Sequence, residues 1–458
     1  MNPRIPDPRT ARRRYATVCA LFWLPVGAAI APKVLLLTER GFALATITAF
    51  VAAHSLTAAA LELPTGGLSD VLGRRPVLAA AGVLDLAALA LIGLGTTALP
   101  VALGSVLLGA GRALSTGPAE AWYVDTVQAK EGPGAELRTG LARGSAASSA
   151  ALAVGTLIGG GLPWLLGLGP NPGAWLAEAT AGYVVPLAVP MLLGVLIELG
   201  FIAYVLLALP EPPHPRATLS GVLRGIPATV LDGLRPAGRD ATVRRVLLSA
   251  GAAGAALFTL ELLTPGRAAA LTGAPESGAV VFAGLACAGY VCSGVGSHLA
   301  PLTARRAGGG ERAVLVGLAA GALGLLLLGA TAAFTGPAAT LLAVAGYGLV
   351  YLGLGAAGPN ENELLHRRVG REGRATALSV QSLALQLTGA AAGLTIGALP
   401  AGPLPWLVGG ITLLAGALLW TGSMGGRSQK EPAGPRNEPA GSQKEPAPHP
   451  GSAKARAE

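Results

Sequence analysis

The sequence predicts an all-α membrane protein whose twelve transmembrane helices form two six-helix bundles. Three observations support this fold class. Hydrophobic residues make up 52% of the 458 residues, charged residues make up only 12%, and the apolar residues occur in long runs separated by short basic loops. A soluble domain usually carries about 25% charged residues, and about 20 apolar residues cross a bilayer as a helix. The chain therefore needs a lipid bilayer as its partner.

Twelve apolar segments follow one another, and each is long enough to be a transmembrane span. The fifth is rich in glycine and the seventh is short, so these two depart most from a typical span. The predicted spans, numbered one to twelve, are approximately 16–37, 43–64, 77–96, 98–122, 145–167, 183–209, 246–264, 278–300, 313–335, 338–358, 378–399 and 404–424.

The basic residues indicate the orientation of these spans. With the N-terminus in the cytoplasm, 29 of the 33 Lys and Arg residues fall on the inside, and only Lys33, Arg40 and Arg267 fall on the outside. Cytoplasmic loops of membrane proteins carry an excess of Lys and Arg. We therefore predict a multi-pass protein of the bacterial inner membrane with both termini in the cytoplasm. The net charge of +9 is interpreted as a topology signal, and no nucleic acid is expected as a partner.

The segment between spans six and seven is the longest predicted inside loop. Apolar residues recur in it at helical spacing from Leu219 to Leu234, which favours an amphipathic helix on the membrane face. A partly ordered linker is the alternative, because Pro227 and several glycines interrupt the pattern. The C-terminal tail is rich in Pro, Glu, Lys, Ser and Gly and is predicted to be disordered. The predicted parts are the N-terminus 1–14, the first bundle 15–209, the linker 210–245, the second bundle 246–424 and the tail 425–458.

The loop between spans two and three contains a recognisable motif. It reads Gly66-Gly67-Leu68-Ser69-Asp70-Val71-Leu72-Gly73-Arg74-Arg75, which resembles the signature loop of the major facilitator superfamily. The resemblance implies a gating latch in which Asp70 approaches the start of span eleven and Arg74 pairs with an acid at the end of span four. An acid is favoured at a helix N-terminus, and Arg pairs strongly with carboxylates. The latch residues are Asp70, Gly73, Arg74, Arg75, Asp125 and Arg374; the alternative is that they only anchor a loop.

Two further motifs resemble the same family. Gly109-Ala110-Gly111-Arg112 is similar to its second motif, with an arginine inside span four. Gly155 to Pro163 partly resembles its antiporter motif, although Gly160 stands where proline is expected and simple helix packing is the alternative. Short stretches from Glu62, Glu120 and Arg374 resemble a bacterial, drug-efflux-like branch.

Ionisable residues inside spans are candidates for proton coupling or substrate binding, because such residues are costly in a bilayer. The resemblance implies a cavity lined mainly by spans one, four, seven and ten, which favours Arg112, Glu120 and Glu261. A fixed structural ion pair is the alternative for Arg112. Asp85 and Glu198 lie nearer mid-membrane and are further candidates. Aromatic contacts to an amphiphilic substrate are expected from Trp23, Tyr347 and Tyr351, with ordinary packing as their alternative.

The resemblance implies a secondary transporter that works by rocker-switch alternating access. We predict proton-coupled efflux of small amphiphilic or drug-like molecules by a monomer, with import or uniport of a nutrient or metabolite as the alternative. A non-transport membrane protein is less favoured, because the sequence has no nucleophile–base pair, metal-ligand spacing or phosphate loop. We therefore expect no enzyme activity, cofactor or metal.

Overall fold

The computed structural model describes residues 6–115, 117–132, 134–211, 238–369 and 374–421. These residues form helices joined by short connections, and no strand occurs among them. Eleven of the described helical segments are long and apolar enough to cross a membrane, and a shorter apolar helix follows them at the position of predicted span twelve. Most of the predicted linker and the whole predicted tail lie outside the described residues.

Each predicted span corresponds to helix in the structure. Span four is divided into two helices at Gly117, whose φ of +97° is a left-handed value suited to glycine. A short helix, Pro172–Ala179, and a 3₁₀ turn, Pro186–Ala188, precede span six. The observed spans are Pro8–Glu39, Leu44–Leu72, Arg74–Leu94, Ala98–Ser115 with Pro118–Glu131, Arg138–Leu166, Val189–Ala208, Ala241–Thr272, Pro275–Ala307, Gly310–Thr331, Pro337–Arg368, Arg374–Ala398 and Leu404–Leu418.

Two spans begin earlier than their hydropathy predicts, because an aspartate caps each helix in a polar segment. Asp7 accepts hydrogen bonds from the backbone N–H groups of Arg9 and Thr10, both at 3.0 Å, so span one begins at Pro8 rather than near residue 16. Asp240 caps span seven in the same way. Such caps satisfy N–H groups that the helix itself leaves unpaired. The predicted borders at 14/15 and 245/246 therefore lie inside helices.

The spans pack as two bundles with the same internal pairing. Span one packs on spans five and six, span three on spans four and six, and span two on span four; adding six to each number gives the pairs of the second bundle. Span two packs on span eleven, and span five packs on span eight, which joins the bundles. Two related halves of this kind are typical of secondary transporters.

The bundles pack tightly at one end of the fold. We call the end at which span one begins the terminal face and the opposite end the far face. One buried cluster in the far half combines first-bundle residues such as Val34 with second-bundle residues such as Leu262. A Cβ atom added to Gly160 would lie only 2.5 Å from the carbonyl oxygen of Ala279. In the terminal half, the buried cluster of described residues from spans one, three, four and six belongs to the first bundle alone. The far face is therefore the closed one.

Candidate functional site

A cavity of about 320 Å³ lies between the two bundles. Spans one to six form most of its wall, and spans seven and eleven complete it. Most of the lining side chains are apolar or aromatic, including Phe22, Trp23, Phe50 and Phe258. A concave, mainly apolar wall with a few polar groups is the usual form of a small-molecule site.

An ion pair between the bundles forms part of the cavity wall. Lys33 Nζ on span one lies 3.6 Å from Glu261 Oε1 on span seven, and the two side chains are 19% and 39% exposed. Both residues line the cavity. Glu261 was a candidate from the sequence, whereas Lys33 was assigned to the outside of the membrane. In the structure Lys33 lies within the helix of span one and contributes to the cavity wall.

Two residues predicted for the cavity meet at its wall. The guanidinium carbon of Arg112 lies 5.9 Å from the ring centroid of Trp23, which is within the range of a cation–π contact. Both side chains line the cavity. This arrangement places a positive charge on an aromatic surface beside the space available to a substrate.

Two further candidates are buried carboxyl groups. Asp85 on span three is 2% exposed, and Glu198 on span six is 0% exposed. Both line the cavity. Oδ1 of Asp85 and both carboxyl oxygens of Glu198 have no hydrogen-bond partner in the described part of the chain. Buried polar groups normally have such partners, so these two acids are unusual in this fold.

Three residues that the sequence predicts for the cavity are not among the side chains that line this one. Glu120 is exposed at the start of the second helix of span four, just beyond the break at Gly117. Tyr347 and Tyr351 pack on each other, with ring centroids 5.1 Å apart, and cover Gly289 inside the second bundle. The cavity wall, as far as the structure describes it, does not include these three. Hydropathy assigns a residue to a span but does not fix the direction in which its side chain points.

A polar contact between the bundles lies on the terminal side of the cavity. The carboxylate of Glu62 on span two accepts hydrogen bonds from Gln386 Nε2 at 3.1 Å and from Ser382 Oγ at 3.5 Å, both on span eleven. Gln386 also lines the cavity. The sequence analysis did not identify Ser382 or Gln386. Their spacing of four residues on one helix face was the available signal.

The structure brings together part of the predicted latch. Arg74 Nη2 lies 3.3 Å from Asp125 Oδ2, and Arg74 Nη1 donates a hydrogen bond to the carbonyl oxygen of Ser69 at 2.7 Å. The side chains of Asp70 and Arg374 lie outside the described residues. The gating role of these residues therefore stays a prediction.

Glu211 is a further residue of this region that the sequence analysis did not identify. Its carboxylate accepts hydrogen bonds from the backbone N–H groups of Arg74 at 2.7 Å and Arg75 at 3.0 Å, and it thereby caps span three. A negative charge is favoured at this position. Gly73 separates spans two and three with a φ of +97°, and a Cβ atom there would lie 2.7 Å from Glu211 Oε1.

The end of span six is held by side chains from other spans. Arg14 Nη1 donates to the carbonyl oxygen of Ala208 at 2.5 Å, and Trp122 Nε1 donates to that of Pro210 at 2.8 Å. Arg75 donates to the carbonyl oxygen of Leu206. The last carbonyl groups of a helix have no partners within the helix, and cations stabilise that end. These contacts fix the segment that carries Glu211.

Apolar spans in two related bundles around an internal cavity define the class of secondary transporters. The family model of the Major Facilitator Superfamily matches residues 16–394. The chain therefore belongs to this superfamily, and its membrane-spanning, transporter-type fold is the one that the sequence predicts. No curated protein matches the sequence. The described residues contain no group of three or more His, Cys, Asp or Glu side chains that could hold a metal ion.

Solved structures of transporters are similar to this fold. The nucleoside transporter NupG is 13% identical, with a TM-score of 0.65 over 92% of this chain and 100% of that chain. A D-xylose-proton symporter is 17% identical, with a TM-score of 0.67 over 90% and 96%. A bacterial homologue of the human lysosomal transporter Spinster, in an inward-facing and unoccupied conformation, is 16% identical, with a TM-score of 0.66 over 91% and 95%. At these identities the similarity establishes the fold and not the substrate.

Proposed function

We propose that the protein is a proton-coupled exporter of small amphiphilic molecules. The composition of the cavity wall carries this proposal. Aromatic and aliphatic side chains make up most of it, and the arginine, lysine and carboxyl groups are confined to Arg112 with Asp85 and Glu198 at one place and the Lys33–Glu261 pair at another. A molecule with an apolar body and one polar or charged group fits such a wall better than a sugar, which needs many hydrogen-bonding partners.

The proposed cycle is a rocker-switch motion of the two bundles around this cavity. We propose that the terminal face lies in the cytoplasm, in agreement with the distribution of Lys and Arg. The described conformation, packed at the far face, would then receive substrate from the cytoplasmic side. Opening of the far face would separate the Lys33–Glu261 pair, and closing of the terminal face would bring the latch residues of spans two and four against span eleven.

Transport of a fluorescent lipophilic dye tests this proposal. Everted membrane vesicles that contain the protein should accumulate ethidium when their interior is acidic, and nigericin, which collapses the pH gradient, should abolish the accumulation. Trp23→Ala should reduce accumulation, because it removes an aromatic surface of the cavity wall on which the planar dye can stack. Glu178→Gln, at an exposed position on the short helix before span six, is the matched control and should behave as wild type.

The alternative function predicts a different result in the same vesicles. Accumulation that persists after nigericin would contradict proton coupling. Gradient-dependent transport of a nucleoside or pentose, without any transport of ethidium, would contradict export of amphiphiles and support import of a metabolite.

A further inference from the structure

Spans three and six are antiparallel, and their close contacts define a register. A Cβ atom added to Gly82 on span three would lie 2.7 Å from the ring of Phe201 on span six. Near the other end, a Cβ atom added to Gly194 on span six would lie 2.9 Å from Leu89 Cδ1 on span three. Gly82 and Leu89 on span three therefore face Phe201 and Gly194 on span six. Asp85 lies three residues after Gly82, and Glu198 lies three residues before Phe201, so this register places Asp85 opposite Glu198.

The two carboxyl groups at this level are deeply buried. Asp85 is 2% exposed, Glu198 is 0% exposed, and three of their four oxygens have no hydrogen-bond partner among the described residues. Burial of an isolated charge carries a desolvation cost on the order of several kcal/mol unless the charge is paired or neutralised. Two neighbouring carboxylates cannot both remain charged in such a place, and one of them takes up a proton.

The related interface in the second bundle shows that this packing does not require acids. Spans nine and twelve occupy there the positions of spans three and six. A Cβ atom on Gly321 would lie 2.8 Å from Leu413 Cδ2, and one on Gly329 would lie 2.9 Å from Trp406 Cβ. Residues 313–331 and 404–420 contain no ionisable side chain. The acids of the first bundle are therefore additional to the packing scheme.

Other charged and titratable groups surround the pair from the neighbouring spans. Oδ1 of Asp85 packs against Gly111, so Asp85 lies next to Arg112 on span four. Span two contributes His54 to the same cavity wall, span five contributes the apolar Leu152, and spans one and seven contribute the mutually paired Lys33 and Glu261. Arg112 directly follows Gly111, the residue that Asp85 contacts, so its positive charge lies close to Asp85. Glu198 is further from Arg112, because span three lies between span six and span four.

We propose that Asp85 and Glu198 form the proton-carrying site of this transporter, with the proton on Glu198 and the negative charge on Asp85. The inference rests on the proposed proton coupling. Glu198 releases its proton to water when the cavity is hydrated, and becomes a carboxylate that faces the carboxylate of Asp85. The resulting repulsion between spans three and six persists until a proton returns, so the protonation state acts on the first bundle itself.

Infrared spectroscopy of the protein in liposomes, without any substrate, tests this assignment. Wild-type protein should show the C=O band of a buried carboxylic acid at neutral pH, and the band should be lost at alkaline pH. Glu198→Gln should remove the band, Asp85→Asn should retain it, and the control Glu178→Gln should leave it unchanged. Glu198→Asp keeps the carboxyl group and should shift the band, which provides a second measurement if the glutamine variant does not fold.

Two results would overturn the assignment. One is a band that is absent in the wild type or unaffected by either substitution of Glu198. The other is a band that does not change over the whole pH range in which the protein stays folded, since a permanently neutral acid cannot carry protons. Both results are independent of the dye experiment. A titrating Glu198 band without ethidium transport would reject the proposed export and leave the proton site in place.

Discussion

The contact between Gly73 and Glu211 can be tested with two glycine substitutions. Gly73 ends span two with φ +97° and ψ 157°, and Gly132 ends the second helix of span four with φ +89° and ψ 177°. An alanine at either position is strained by its backbone conformation, at a cost of about 1–3 kcal/mol. A Cβ atom at Gly73 would also lie 2.7 Å from Glu211 Oε1, whereas one at Gly132 would meet nothing within 4 Å.

The difference between the two alanine variants therefore isolates the cap on span three. Gly73→Ala displaces the Glu211 carboxylate from the N–H groups of Arg74 and Arg75, and Gly132→Ala does not disturb it. Loss of a helix cap costs about 1 kcal/mol, and loss of a negative charge at a helix N-terminus costs about 0.3–1 kcal/mol. We expect Gly73→Ala to be less stable than Gly132→Ala by about 1–2 kcal/mol.

Thermal unfolding of the purified protein in detergent, followed by the helical circular dichroism signal, measures this difference. Gly73→Ala should lower the Tm more than Gly132→Ala. When Glu211 is first replaced by alanine, the two glycine variants should lower the Tm equally, because no cap remains to be displaced. Equal effects of the two glycine variants in the wild-type background would refute the role of Glu211 as the cap.

Three further predictions concern the charged contacts. Asp125→Asn should reduce ethidium transport while membrane insertion, assayed by protein content of the membrane fraction, stays normal; unchanged transport would remove Asp125 from the latch. Lys33→Glu should weaken packing of the far face, and the exchange with Glu261→Lys should restore it, as measured by the Tm; a partly exposed pair of this kind contributes at most about 1 kcal/mol. Partial burial raises the pKa of Asp240, but its hydrogen bonds from the Val243 and Thr242 N–H groups and the charge of Arg368 outweigh this and leave the pKa below its usual value. Since the folded-state pKa is the lower one, this stabilisation should be complete near neutral pH and disappear as the pH falls through the folded-state pKa. The Tm of Asp240→Asn should therefore lie below that of wild type at neutral pH and approach it at acidic pH; a constant gap would contradict this reading.

The sequence could predict the spans and the family because both depend on local patterns. A run of apolar residues identifies a helix in a bilayer without reference to its neighbours. The loop motif predicted that Arg74 pairs with Asp125, and Arg74 Nη2 lies 3.3 Å from Asp125 Oδ2. The break in span four also had a local signal, the consecutive Gly117 and Pro118, since proline is tolerated at the start of a helix and not in its interior.

The contacts that the sequence did not predict join residues distant in the chain. Glu211 caps span three although it follows Arg74 by 137 residues in the chain. No residue near Glu211 in the sequence indicates that its carboxylate contacts the start of span three. The direction of a side chain around a long apolar helix was equally undetermined. Span ten is apolar on several faces, so its sequence does not indicate whether Tyr347 faces the cavity or the bundle interior. In the structure Tyr347 packs against Gly289 of span eight.

Comparison of the two bundles separates residues that serve packing from residues that serve a particular function. Arg40 at the end of span one donates hydrogen bonds to the carbonyl oxygens of Ile92 and Gly95, both at 2.8 Å, at the end of span three. Arg267 on span seven donates to the carbonyl oxygen of Phe334 at 2.5 Å, just past the end of span nine. These two arginines lie on corresponding spans and make corresponding contacts with helix-end carbonyl groups, which accounts for the basic residues at the far face.

The acids of the cavity do not follow this repeat. Spans nine and twelve carry no ionisable residue in the segments 313–331 and 404–420, which correspond to the segments with Asp85 and Glu198, although the helices pack in the same way. A residue pair that packing does not require, and that burial makes costly, indicates a role other than stability. If the proposed proton site is correct, proton binding belongs to the first bundle, and the second bundle completes the cavity wall with residues such as Phe258 and Glu261. Replacing both acids with apolar residues of similar size should therefore stabilise the protein and abolish its coupling, whereas apolar-to-apolar exchanges at Gly321 and Leu413 should affect stability alone.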